Sequence, residues 1–248
     1  MASELRCVLL DIGGTLWPDA LTSPERTLQV RRSRLRRALP AIDASSLDAL
    51  IATCVETAKA ERVAGLAGEH RQDVNACVQR SLRELGLPDD SGTVRAVRRA
   101  LCVPFAETGL DPFDGVVDLL QTLRSLSLTT VVLSNANWRD VAAYEADFAG
   151  LGWGEYFDGV VSSPDAGVRK PNPAIFADAI ALAGVEAEAA VMVGNSETND
   201  IEPAARLGMR TIRVAIEEPA PAPGTSVADT VAGSLPAVAS IVAGWVVA

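Results

Sequence analysis

The chain has 248 residues, enough for one large domain or a core with a smaller companion. Apolar residues make up 48 % of it, so a sizeable core can be buried; aromatics are only 4 %, leaving alanine, valine and leucine to fill that core. A net charge of −10 argues against nucleic acid as the main partner, because phosphate backbones select basic surfaces.

Met1 to Arg6 is too short for a signal peptide and runs straight into an apolar segment. No apolar stretch approaches the roughly 20 residues that span a bilayer, so a soluble, cytoplasmic protein with no membrane partner is expected. The four cysteines, Cys7, Cys54, Cys77 and Cys102, contain no close pair and so neither a zinc spacing nor a redox motif. Buried, inert thiols are the expectation.

The run Cys7-Val8-Leu9-Leu10, ending in Asp11-Ile12-Gly13-Gly14-Thr15, has the pattern of a buried parallel strand followed by a tight polar turn. From about Pro24 to Val103 the texture changes: arginine, alanine and leucine recur at helical spacing. Breaks fall at Pro40, Gly65 to Gly68, and Gly86 to Gly92. About four helices and no strand are predicted there.

After Asp111-Pro112-Phe113-Asp114-Gly115 strand and helix alternate. Helix Val116–Leu126 precedes strand Thr129–Leu133, and helix Arg139–Phe148 precedes strand Gly159–Ser162. Helix Pro173–Ala183 leads to strand Ala190–Val193, then helix Ile201–Leu207 to strand Thr211–Val214. A proline-rich loop, Glu217–Gly224, precedes a closing strand and helix. The expected fold is α/β, a Rossmann-like parallel-sheet core (1–16 and 111–248) with an inserted all-helical cap (17–110).

Ligands of such sheets bind beyond the carboxyl ends of the strands. Four of those ends present Asp11, Ser134, Lys170, and the segment Asn195 to Asp200. A carboxylate, a hydroxyl, an ammonium and a second carboxylate thus converge from separate strands, which packing alone does not require. Only Lys59 and Lys170 are lysine among 22 basic residues. In so arginine-rich a chain, a compact ammonium at position 170 points to a role that a guanidinium cannot fill.

These segments resemble, in order, the four motifs of the haloacid dehalogenase superfamily. Asp11-Ile12-Gly13-Gly14-Thr15-Leu16 is similar to its first motif, D-x-D-G-T-L. Leu133-Ser134-Asn135 is similar to the second, and Gly167 to Phe176, containing Lys170-Pro171-Asn172-Pro173, to the third. Val193-Gly194-Asn195-Ser196-Glu197-Thr198-Asn199-Asp200 resembles the fourth, usually G-D-S-x-x-N-D. The helical insert corresponds to the cap that many members carry.

The resemblance implies that Asp11 is a nucleophile forming a covalent aspartyl intermediate, held with the substrate's charge by Lys170. It implies that Thr15, Ser134, the Asn135 amide and Lys170 bind a small anionic substrate. It further implies Mg²⁺ at Asp11, the Gly13 carbonyl, Asn195 and Asp200. Plainer readings remain for four of these: Asp11 as a cap of the following turn, Lys170 as a solvated loop lysine, Ser134 as the cap of the next helix, and Asp200 as a favourable charge at a helix start.

Two departures stand out. Family phosphatases carry a second Asp two residues after the nucleophile, as proton donor and water activator; here Gly13 occupies that place. Asn195 stands where an Asp is usual, with Glu197 near enough in sequence to compensate. The expected activity is Mg²⁺-dependent hydrolysis of a small phosphorylated metabolite. The alternatives are metal-independent hydrolysis at carbon, as in 2-haloacid dehalogenases, and a catalytically weak binding protein. The run Arg26, Arg31, Arg32, Arg34, Arg36 and Arg37 reads as a solvated helix face or a lid for an anion. His70, the only histidine, is a surface residue or a substitute acid from a cap loop.

Overall fold

The computed structural model describes residues 4–18, 24–65, 73–217, 219–222 and 224–247. The chain opens with β1 (Cys7–Leu10), then α1 (Pro24–Ala38), α2 (Ala44–Gly65), α3 (Val74–Glu84), α4 (Ser91–Leu101) and the single turn α5 (Phe105–Thr108). It continues through α6 (Val116–Ser125), β2 (Thr129–Ser134), α7 (Val141–Gly150), β3 (Gly159–Ser162), α8 (Ser163–Ala166) and α9 (Pro173–Ala183). Last come β4 (Ala190–Gly194), α10 (Glu202–Arg206), β5 (Arg210–Val214), β6 (Thr230–Ala232) and α11 (Leu235–Val247).

Among the described residues six strands form one parallel sheet in the order β3-β2-β1-β4-β5-β6, as the alternation of strand and helix predicts. Leu10 pairs with Val132 on one side and Val193 on the other, so β1 lies centrally and every residue in it is buried. The chain builds outward from β1 through β2 to β3, then returns to the opposite side of β1 as β4. That reversal opens a crevice at the strand ends beside β1.

Period-two alternation assigns the strand residues to two cores. Val8, Leu10, Val132 and Val193 pack on one face against Leu119 and Leu123 of α6 and Val238 and Val242 of α11. Cys7, Leu9, Leu133 and Met192 pack on the other against Ile175, Phe176 and Ala179 of α9. A strand buried on both faces must be apolar throughout, which is why β1 and β4 are uninterrupted apolar runs.

Helices α1 to α4 enclose their own cluster, including Leu35, Leu50, Val78 and Leu101. The breaks between them have local causes. Asp73 caps α3 by accepting from Asn75 N and Ala76 N, and Asp90 caps α4 by accepting from Gly92 N and Thr93 N. Gly86 follows α3 with φ of +64°, the left-handed conformation that ends a helix. The helical layer meets the sheet domain at Trp138 and Ala143, and Arg98 of α4 reaches Asp140 at 2.9 Å.

Several boundaries shift by a residue from expectation, and two helices differ for an identifiable reason. Helix α7 begins at Val141 rather than Arg139, because Asp140 is its cap, accepting from Ala143 N. Arg139 is instead drawn out to Asp147 and the Val103 carbonyl. The helix predicted at Ile201–Leu207 is the shorter α10, preceded by a wide π turn over Glu197–Ile201. His70, with Glu69 and Arg71, lies outside the described residues.

Candidate active site

Lys170 is the hub of the strand-end constellation. Its ammonium lies 2.7 Å from Asp11 Oδ1 and 2.6 Å from Asp200 Oδ1, and donates to the Leu133 carbonyl at 2.8 Å. Lys170 is 2 % exposed and Asp200 1 %, so these charges meet almost out of water. The main chain of Lys170 is gripped by the Asn135 side chain: Oδ1 accepts from Lys170 N and Nδ2 donates to Lys170 O, both at 2.9 Å. Asn135 thus fixes where the ammonium can reach.

Asp11 continues the ladder of β1, its N–H donating to the Val193 carbonyl at 3.0 Å, and its carboxylate opens into a cavity. Asp200 enters from the π turn, with Oδ2 accepting from Ser196 N at 3.0 Å. Its Oδ1 is engaged by the ammonium as an ion pair. Burial pushes the Asp200 carboxyl up to about 6, against the pull of Lys170. Burial alone would lower the pKa of Lys170, but Asp11 and then Asp200 outweigh it and raise it above its ordinary value.

Glycines make this approach possible. A Cβ on Gly194 would stand 2.5 Å from the Asp200 carboxyl carbon. Gly14 holds φ of +69°, and a Cβ there would stand 2.1 Å from Asn195 Nδ2. Its N–H donates to the Trp17 carbonyl at 2.6 Å, closing the turn after Asp11.

Two cavities meet at Gly13, Asn135, Lys170 and Asn199. One, of about 370 Å³, holds Asp11, Asn195, Ser196 and Asp200. The other, of about 700 Å³, runs from Ser134 and Lys170 to the helical layer at Arg31, Arg62 and Cys102. Among the described residues no group of three or more His, Cys, Asp or Glu gathers around one point. The described carboxylates paired with Lys170 are Asp11 and Asp200.

Several expectations change in three dimensions. Thr15 is fully buried and is on the wall of neither cavity, and its hydroxyl has no hydrogen-bond partner. Ser134 is not a helix cap, since Asp140 holds that place; its hydroxyl is 2.7 Å from the Tyr144 hydroxyl. Glu197 does not stand in for the missing carboxylate. It accepts from Arg213 at 3.0 Å, Ser226 at 2.7 Å and Val227 N at 2.8 Å. Burial would raise its pKa, but the Val227 and Ser226 hydrogen bonds and Arg213 hold it below the usual carboxylate range, so it keeps its charge.

The arginine run of α1 is divided by its neighbours. Arg32 pairs with Asp48 and Arg34 with Glu107, Arg26 donates to the Glu107 carbonyl, and Arg36 and Arg37 are exposed. Of the six, only Arg31 is on the cavity wall. Sequence reasoning missed Tyr144, Arg139 and Arg169. Only Arg169 carried a signal, its adjacency to Lys170.

The description "haloacid dehalogenase-like hydrolase" belongs to the family profile that matches residues 5–208. The glyceraldehyde 3-phosphate phosphatase of Methanopyrus kandleri is 28 % identical over 222 residues, covering 85 % of this chain and 84 % of that one. The phosphoglycolate phosphatase of Pectobacterium atrosepticum is 30 % identical over 176 residues, covering 70 % and 72 %. A crystal structure of a 2-haloacid dehalogenase from Pseudomonas syringae superposes with a TM-score of 0.67 at 24 % identity, over 97 % of this chain and 99 % of that one; at that identity the likeness speaks for the fold. With four motif segments converging on one crevice and a family match across most of its length, the chain belongs to the haloacid dehalogenase-like hydrolases.

Proposed function

We propose that this protein is a phosphatase acting on a small phosphorylated metabolite through an aspartyl intermediate on Asp11. The observation that carries this is the Asp11 carboxylate, held by a buried ammonium where a small polar cavity joins a larger one. The phosphatase names of the two relatives agree with it. The acid excess suits a small-molecule enzyme of the cytoplasm better than a nucleic-acid binder. Among the described residues no helix is long and apolar enough to cross a membrane.

In this mechanism an Asp11 oxygen attacks phosphorus, and the phosphorus–oxygen bond to the alcohol breaks. Lys170 orients Asp11 and offsets charge on the phosphoryl oxygens, and Ser134 offers a hydroxyl donor from the adjoining larger cavity. Gly13 offers no side chain to protonate the leaving oxygen, which takes its proton from water. Water then attacks phosphorus, the bond to Asp11 breaks, and phosphate leaves.

The donor set fits Mg²⁺: Asp11, Asp200, the Gly13 carbonyl and the Asn195 amide oxygen are all hard oxygen ligands. One ammonium against two carboxylates leaves a net negative site, open to the smaller cavity at Asp11 and Asp200. When bound, the ion would neutralise phosphoryl charge. Domain boundaries at 1–16 and 111–248 for the core and 17–110 for the cap complete the proposal.

Gly13 also keeps metal-free hydrolysis at carbon in view, since that chemistry needs no acid at this position. A panel of phosphate esters, acyl phosphates and 2-haloacids, each with and without Mg²⁺, separates the two. Phosphate release that requires Mg²⁺ and is abolished in a folded Asp11→Asn variant is expected. Halide release without Mg²⁺, or turnover that survives Asp11→Asn, would refute the proposal.

A further inference from the structure

Aromatic residues are only 4 % of the chain, yet Trp17, Phe105, Tyr144, Phe148, Trp153 and Phe157 gather into one cluster. It forms where the turn after β1, α5 and α7 meet. Tyr144 is the member that carries a hydroxyl, and that hydroxyl lies 2.7 Å from Ser134 Oγ. Both residues are buried, and both are on the wall of the larger cavity.

The Tyr144 ring has little freedom. Phe148 stacks on it with centroids 5.8 Å apart, and Phe105 meets it edge-on at 6.2 Å. Arg139 lies 5.3 Å from the ring centroid, and is itself ion-paired with Asp147 and donates to the Val103 carbonyl. Asp147 also accepts from Phe105 N at 3.2 Å. The start of α7 is fixed by Asp140, which caps the helix and pairs with Arg98 at 2.9 Å. The phenol oxygen is thereby held in one place beside Ser134.

A phenylalanine would fill the same space without the cost of burying a hydroxyl. What the hydroxyl adds is control over a proton. Among the described residues neither hydroxyl of the pair has a second hydrogen-bond partner, so the two share one bond and keep one spare proton. If Ser134 donated, its proton would be spent on Tyr144, and a phosphoryl oxygen would meet only lone pairs. A phenol is a stronger acid than an aliphatic alcohol and so the better donor of the two. The Arg139 cation at the ring strengthens that bias. Burial raises the pKa of Tyr144 above its ordinary value, against the pull of Arg139, so the phenol keeps the proton it donates.

We propose that Tyr144 is a positioning residue, donating to Ser134 Oγ and so leaving the Ser134 proton free for a phosphoryl oxygen of the substrate. This rests on the phosphatase function proposed above. Tyr144 acts through Ser134 alone, which separates the role from packing.

The test is a double-mutant cycle of Tyr144→Phe and Ser134→Ala, read as kcat/KM on an aryl phosphate. Tyr144→Phe should lower kcat/KM about fivefold to tenfold, the order of one neutral hydrogen bond. It should unfold within about 4 °C of the parent, since the ring and its packing remain. In the Ser134→Ala background Tyr144→Phe should have no further effect. Tyr156→Phe, at the chain's other tyrosine and on neither cavity wall, should leave kcat/KM unchanged. With Asp11→Asn added to each variant, titration of inorganic phosphate should repeat the cycle without turnover: Tyr144→Phe weakens phosphate only while Ser134 is present. A Tyr144→Phe variant with the parent's kcat/KM, or a loss that persists in the Ser134→Ala background in either measurement, overturns the positioning role and leaves the phosphatase standing. Failure of the parent to hydrolyse any phosphate ester overturns the phosphatase function, and the positioning role with it.

Discussion

Replacing Lys170 by methionine keeps the side chain's length but removes its charge from between Asp11 and Asp200. Three close contacts are lost, at 2.7 Å to Asp11, 2.6 Å to Asp200 and 2.8 Å to the Leu133 carbonyl. Two buried carboxylates then face each other with nothing between them. Removing one partner from a buried ion pair costs about 3–5 kcal/mol. The lower end applies here, because the cavity beside Asp11 admits water. For a chain of this size, about 3 kcal/mol corresponds to a fall in Tm of about 6–12 °C.

The deficit should depend on pH, and the sign follows from linkage. Burial already pushes Asp200 up to about 6 with the ammonium in place, and losing that cation raises it further. A carboxyl whose folded pKa is raised contributes stability below its unfolded pKa and loses it as pH rises through the folded value. Lys170→Met should therefore lie furthest below the parent above neutrality and approach it on acidification. Adding Asp200→Asn removes one of the uncompensated buried charges and should restore much of the loss. Urea and thermal unfolding followed by circular dichroism measure all three proteins. A Tm for Lys170→Met within about 2 °C of the parent at neutral pH, or a deficit that does not shrink in acid, would refute this account of the triad.

Asn195→Asp supplies a third carboxylate beside Asp11 and Asp200 and should tighten Mg²⁺, since ligand charge is a main determinant of affinity for hard cations; equal or weaker binding by calorimetry would count against these ligands. Gly13→Asp should raise turnover of alkyl phosphates by at least about tenfold, a cautious fraction of what general acid catalysis contributes, with a smaller first-step gain on aryl phosphates. Single-turnover rates on both substrate types check it, and a fall on both would point to another acid. Burial pushes the thiols of Cys7 and Cys77 up to about 12 and that of Cys54 up to about 11, so all three are protonated at pH 8. They should resist a thiol reagent in the folded protein and react once it is unfolded; rapid labelling in the native state would contradict their burial.

What the sequence by itself determined is what short-range chemistry encodes. The uninterrupted apolar run of Cys7–Leu10 announced a strand buried on both faces. The glycine and proline breaks located the gaps between α1, α2, α3 and α4. Pro173 with Asn172 before it set the start of α9, where the Asn172 side chain accepts from Ala174 N. The order of four motif segments was enough to bring Asp11, Ser134, Lys170 and Asp200 to neighbouring strand ends, because a parallel sheet aligns those ends.

The tertiary structure decided what each side chain does once there. Lys170 and Asp11 are 159 positions apart, and no local pattern states that the ammonium would also reach Asp200. Asn135 turned out to hold the main chain of Lys170, Ser134 to meet Tyr144, and Glu197 to be held by Arg213 and Val227. Thr15, part of the most recognisable motif, is buried away from both cavities. Six neighbouring arginines looked alike along α1, yet Arg31 alone faces the cavity, because helical geometry and the acids of other elements drew the rest elsewhere. Periodicity and capping act over a few residues and are written locally; the pairing of charges depends on which surfaces folding brings together.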